Sequence, residues 1–185
     1  MKQSVVVYAK RILVDANFLV ALVSRKSSED VQLRLKHFIA TIEKQECSLV
    51  VPMPALAEYL VGADSAGLES LNAFERKTFV QMANFDRAAA YECSILDGAS
   101  LGRKDKKDGS DAAWQKIKVD RQIVAIGKAQ GAGLVISQDK DVRTAALRVG
   151  MHCLKMEELE LPPGAQQGRL DFSKEEAANA KAPVK

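Results

Sequence analysis

The chain has 185 residues, 47% of them hydrophobic and 28% charged, with a formal net charge of +3. That fits one ordinary domain with a short appendage and excludes global disorder, and the charge alone is too small to argue for a polyanionic partner. Its three cysteines, Cys47, Cys93 and Cys153, lie far apart, and with two histidines in all a Cys/His zinc site is excluded and reduced thiols in a reducing cytoplasm are expected.

The opening MKQSVVVYAKR has an apolar run of only Val5 to Ala9 before Lys10 and Arg11, so it is not read as a signal peptide. The run from Ile12 to Val23 contains Asp15 and is too short to span a bilayer. A soluble, cytoplasmic protein with no membrane association is expected. RILVD reads as a buried strand and ANFLVALVS as a helix. Residues 29–45 carry amphipathic helix spacing at Val31, Leu35, Phe38, Ile39 and Ile42. CSLVVP is a second buried strand, and ALAEYLVG opens a helix with Pro54 suited to its first turn. Residues 66–82 are expected to form another helix, followed by FDRAAAYECSILDGASLG with Asp86 as N-cap.

RKDKKDGSD, from Arg103 to Asp111, has no apolar residue and reads as an exposed loop. A helical pattern runs from Ala112 to Gln130 and stops at GAG. LVISQD is a third apolar strand, KDVRTAALRVG a short helix ending at Gly150, and HCLKM a fourth strand. Near-continuous apolar strands alternating with helices predict a three-layer α/β/α sandwich around a central parallel sheet of about four to five strands. Residues 1–160 are assigned to that domain. The stretch 161–185, poor in large apolar residues, reads as a flexible tail in which Ser173 and Glu176 offer a capping box.

Four acids stand against this pattern. Asp15 ends the first strand, Glu58 follows the second, Asp120 interrupts the apolar helix IKVDRQIVAIG, and Asp139 ends the third strand with Asp141 two residues on. Each alone has an ordinary explanation. Asp15 and Asp139 fit N-caps. Glu58 and Asp120 fit amphipathic helix faces, Asp120 with Lys116 or Lys128 at hand. Asp141 fits a first-turn acid. Together they converge, because ligands in a parallel α/β sheet sit beyond the carboxyl ends of its strands. Clustered carboxylates raise one another's pKa unless a cation binds, and an all-oxygen donor set selects Mg²⁺ or Mn²⁺. The chemistry this implies is phosphodiester hydrolysis with a metal-activated water.

VDANFLVALV, VPMPALAEYLVG and KVDRQIVAIGKAQGAGLVISQDKDV resemble, in order, the acidic motifs of PIN-domain nucleases, in particular those of VapC-like toxins of prokaryotic toxin–antitoxin pairs. The resemblance covers about residues 11–156. It implies a Mg²⁺- or Mn²⁺-dependent endoribonuclease, homodimeric, with RNA as substrate and an antitoxin protein as partner. Carried over, Asp15, Glu58, Asp120 and Asp139 are catalytic metal ligands, with Asp141 a further acid. Asn17 and Ser137 orient ligands or waters. The lysine-rich loop and the tail depart from a minimal toxin of this kind.

Arg103, Lys104, Lys106, Lys107, Lys116 and Lys118 could hold RNA phosphates near the acids, although Asp105, Asp108 and Asp111 interleave with them and make a solvated loop an equal reading. Trp114 is expected to pack rather than stack on a base. Two other readings remain open: a non-catalytic PIN-like module that binds RNA or protein, and an aspartyl-phosphate phosphatase, which would want an acid where Asn17 stands.

Overall fold

A computed structural model describes residues 7–23, 27–102, 105–107 and 109–165. Its strands are β1 (Arg11–Val14), β2 (Ser48–Pro52), β3 (Val80–Ala83), β4 (Leu134–Ile136) and β5 (His152–Leu154). The helices are α1 (Ala16–Val23), α2 (Glu29–Lys44), α3 (Met53–Gly62), α4 (Ser65–Glu75), α5 (Arg87–Gly102), α6 (Trp114–Ala129) and α7 (Lys140–Arg148), with a 3₁₀ turn at Met156–Glu158. The capping residues at three helix starts explain why the helices begin there. The Val31 amide donates to Ser28 Oγ, the Gly67 amide to Asp64 Oδ1, and the Ala89 amide to Asp86 Oδ1.

All five strands are parallel, in the order β3-β2-β1-β4-β5. Alternation along each strand feeds the two faces. Ile12, Val14, Leu49, Val51, Leu134 and Ile136 pack beneath α1, α2 and α4, while Leu13, Val50 and Val135 pack beneath α5, α6 and α7. This is the three-layer sandwich expected from the sequence.

One expected element is corrected. The helix assigned to 66–82 ends at Glu75, and Val80–Ala83 forms a fifth strand beside β2. The apolar spacing through Leu71, Phe74 and Phe79 suits a helix, but Phe79 instead packs its ring edge-on against Phe74 across a turn. Among the described residues no helix is long and apolar enough to cross a membrane. Ser173 and Glu176 lie outside the described residues, as does all of the proposed tail beyond residue 165.

Gly127 fixes how closely α6 lies on the sheet. A Cβ there would stand 2.6 Å from Leu13 Cδ2, and Leu13 is fully buried. The bare glycine lets α6 settle onto β1 and brings the start of that helix to the carboxyl edge of the sheet.

Candidate active site

The strand order reverses between β1 and β4, so the chain leaves these two neighbours toward opposite halves of the sheet and opens a crevice at their carboxyl ends. Asp15 follows β1 and Ser137 follows β4 at this point. Asp15 is 3% exposed, and its hydrogen bonds explain how it tolerates burial. The Ser137 hydroxyl donates to Asp15 Oδ2, and the Phe18 amide donates to Oδ1 at 3.0 Å. The Asn17 amide reaches Oδ2 at 3.4 Å. Burial pushes the Asp15 carboxyl above its ordinary value and the charge of Asp139 adds to this, against the pull of these donors.

Ser137 links Asp15 to the next acid, because its hydroxyl oxygen accepts the Asp139 amide at 3.0 Å. Asp139 caps α7 through Oδ1, which accepts the Asp141 amide at 2.7 Å and the Val142 amide at 3.4 Å. Its Oδ2 accepts Lys116 Nζ at 2.6 Å. The same ammonium donates to Asp120 Oδ2 at 2.8 Å. Asp141 accepts the Ser110 hydroxyl at 2.8 Å. One carboxylate oxygen from each of Asp120, Asp139 and Asp141 lies within 4.8 Å of the other two.

The two acids that share Lys116 differ in pKa. Burial pushes Asp120 up to about 6, helped by the charges of Asp139 and Asp141, and Lys116 opposes the rise. For Asp139 burial acts in the same direction but is outweighed by Lys116 and by the two α7 amides, so its carboxyl lies below the ordinary value. The difference is geometric: Asp139 sits at a helix N-terminus, and Asp120 sits within a helix whose own amides are already engaged.

Glu58 stands apart from the three grouped carboxylates. It is exposed on α3, in a groove lined also by Val20, Val23 and Asp64. Helix α3 itself packs against both α1 and α6. Asn17 is exposed, and Ser137 is fully buried.

The basic residues divide. Arg103 and Lys104 lie outside the described residues. Lys106 sits 4.2 Å from the centroid of the half-buried Trp114 ring, with Lys118 at 6.0 Å and Arg121 at 5.4 Å. Lys107 donates to the Ala112 carbonyl at 3.0 Å and, with Lys140 and Arg148, lines a small cavity beside Asp120 and Asp141.

Sequence reasoning did not find Ser110 or Arg121. Arg121 is buried, pairs with Asp97 at 2.6 Å, and donates to the Lys106 carbonyl at 2.8 Å, tying the lysine-rich loop to α5 and α6. An arginine next to Asp120 within an apolar helix was the available signal.

No family model matches the chain, and no curated protein matches it in sequence. Solved structures do match. A chain of VapBC2 from Rickettsia felis, bound to a DNA fragment from their promoter, superposes with a TM-score of 0.56 at 10% identity, over 78% of this chain and 98% of that one. DNA-bound VapBC from Salmonella typhimurium gives 0.51 at 16% identity, over 80% and 99%. The chain has a VapC-like PIN fold.

In this PIN fold the residues at the crevice fit a hard divalent cation. The donors are all carboxylate oxygens, they come from α6 and the β4–α7 junction, and they already draw a cationic group between them.

Proposed function

We propose that the chain is a metal-dependent endoribonuclease of PIN type. The observation that carries this reading is the convergence of Asp120, Asp139 and Asp141 within 4.8 Å at the sheet's switch point. Asp15 joins them through Ser137. Asp15, Asp120, Asp139 and Asp141 would hold Mg²⁺ or Mn²⁺, and Glu58 would act through water. A bound divalent cation supplies Lewis-acid activation of water and charge neutralisation at the phosphate. Ser137 and Asn17 fix the Asp15 carboxylate. Lys106, Lys107 and Lys118, with Arg103 and Lys104, would hold the RNA backbone through salt-dependent contacts.

The likeness to chains from VapBC assemblies supports a toxin role with an antitoxin as protein partner. A homodimer acting in the cytoplasm accords with that role. The test is cleavage of RNA by the purified chain with Mg²⁺ or Mn²⁺. Cleavage should stop in EDTA, resume when excess metal is restored, and be absent in Asp15→Asn. Equal cleavage in EDTA would sink the proposal.

A second reading has one observation in its favour. Lys116 already neutralises two of the acids, as it would in a non-catalytic module that binds RNA without metal. RNA binding that is unaffected by metal, with no cleavage under any metal condition, would select it.

A further inference from the structure

We propose that Lys116 is a tethered counter-ion that occupies the cation's place and must swing out for a divalent metal to enter. This rests on the metal reading above. The ammonium bridges Asp120 Oδ2 at 2.8 Å and Asp139 Oδ2 at 2.6 Å, and both acids belong to the group whose oxygens lie within 4.8 Å. Asp139 has no second oxygen to offer, since Oδ1 is engaged by the amides that start α7. Metal and lysine therefore compete for the same Oδ2.

Two features make Lys116 a displaceable occupant. Its side chain is 45% exposed, while that of Asp120 is 8% exposed, so solvent lies on the lysine's side. It also sits on a flexible four-carbon stem and carries a single charge, whereas the incoming ion carries two. Until displaced, it holds together acids from α6 and the β4–α7 junction that would otherwise repel one another. The metal-free site is thereby kept assembled, at a cost to metal affinity.

The test is Mn²⁺ binding to the full chain, read by the electron paramagnetic resonance of free Mn²⁺, so that no catalytic turnover enters. Lys116→Met keeps the stem and removes the charge, and it should tighten Mn²⁺ binding at least about tenfold. Lys116→Arg should keep the weaker affinity. Lys118→Met removes the same charge from the same helix, at a side chain that lies against Trp114, and should change affinity less than about twofold. The metal-free Lys116→Met protein should melt lower than the parent and gain more from Mn²⁺.

Equal affinities in the parent and Lys116→Met overturn the proposal and leave the metal reading standing. So does a Lys118→Met effect as large as that of Lys116→Met. If neither the parent nor Lys116→Met binds Mn²⁺, the metal reading falls and this proposal with it. Should Lys116→Met not fold, Lys116→Gln carries the same comparison.

Discussion

The Ser137 hydroxyl donates a hydrogen bond to Asp15 across 122 positions of sequence, and both residues are buried. Their proximity follows from β1 pairing with β4, with Val14 in register with Ile136. Ser137→Ala removes the donor and leaves a buried carboxylate short of a partner. Metal-free stability should fall by about 1–3 kcal/mol, measured by urea unfolding in EDTA. An unchanged midpoint would mean that the Phe18 amide and Asn17 suffice to hold Asp15.

Asp120→Asn separates chemistry from stability. The carboxylate is buried beside two other acids, and its pKa is raised to about 6 by burial and by those charges. An amide of the same shape should leave the melting temperature within a few degrees of the parent in EDTA. RNA cleavage should fall at least about 100-fold, the scale on which altered metal-site residues act. A variant that melts normally and still cleaves at the parent rate would remove Asp120 from the site.

Gly127→Ala tests the close approach of α6 to β1. The new methyl would stand 2.6 Å from Leu13 Cδ2, so the fully buried Leu13 side chain has to shift within the core. Overpacking of this kind costs about 1–3 kcal/mol. Because α6 also carries Asp120, cleavage should drop along with stability. Paired Leu13→Val and Gly127→Ala substitutions should recover part of both.

Asp97→Ala probes the anchor of the lysine-rich loop. The buried Arg121 would keep its bonds to Ser100 and the Lys106 carbonyl but lose the Asp97 carboxylate. The expected cost is about 1–3 kcal/mol, with faster amide exchange at 105–107, read by hydrogen–deuterium exchange. Exchange unchanged in the loop would show that the tether does not depend on Asp97.

The strands that pair in the sheet's interior were legible because they are apolar on both faces. Ile12, Leu13 and Val14 feed alternate sides, and nothing but a doubly covered strand needs that. The edge strand Val80–Ala83 was not legible, since three of its four residues are only half-buried and its neighbours keep a helical spacing. At the site, Asp15, Asp120 and Asp139 were legible from their strand and helix contexts, and the Lys116–Asp120 pair from its four-residue spacing. The second bond of Lys116, to Asp139, was not, because it depends on how α6 lies over the sheet. Nor was the grip of Ser110 on Asp141, which depends on the path of a polar loop with no periodicity to read. From the sequence, Lys116 suits RNA contact. In the structure its ammonium pairs with both acids.

The pairing of β1 with β4 also sets a schedule for synthesis. On the ribosome, Asp15 leaves with β2 available to one flank of its strand, and the other flank stays bare until Leu134–Ile136 are made. A nascent or truncated chain ending before Ser137 lacks the hydroxyl that orders Asp15 and the acid that caps α7. In the nuclease proposed above, such fragments would be inert toward the messenger that encodes them. The crossover that builds the crevice thus delays assembly of the acidic group until translation is well past the middle of the chain.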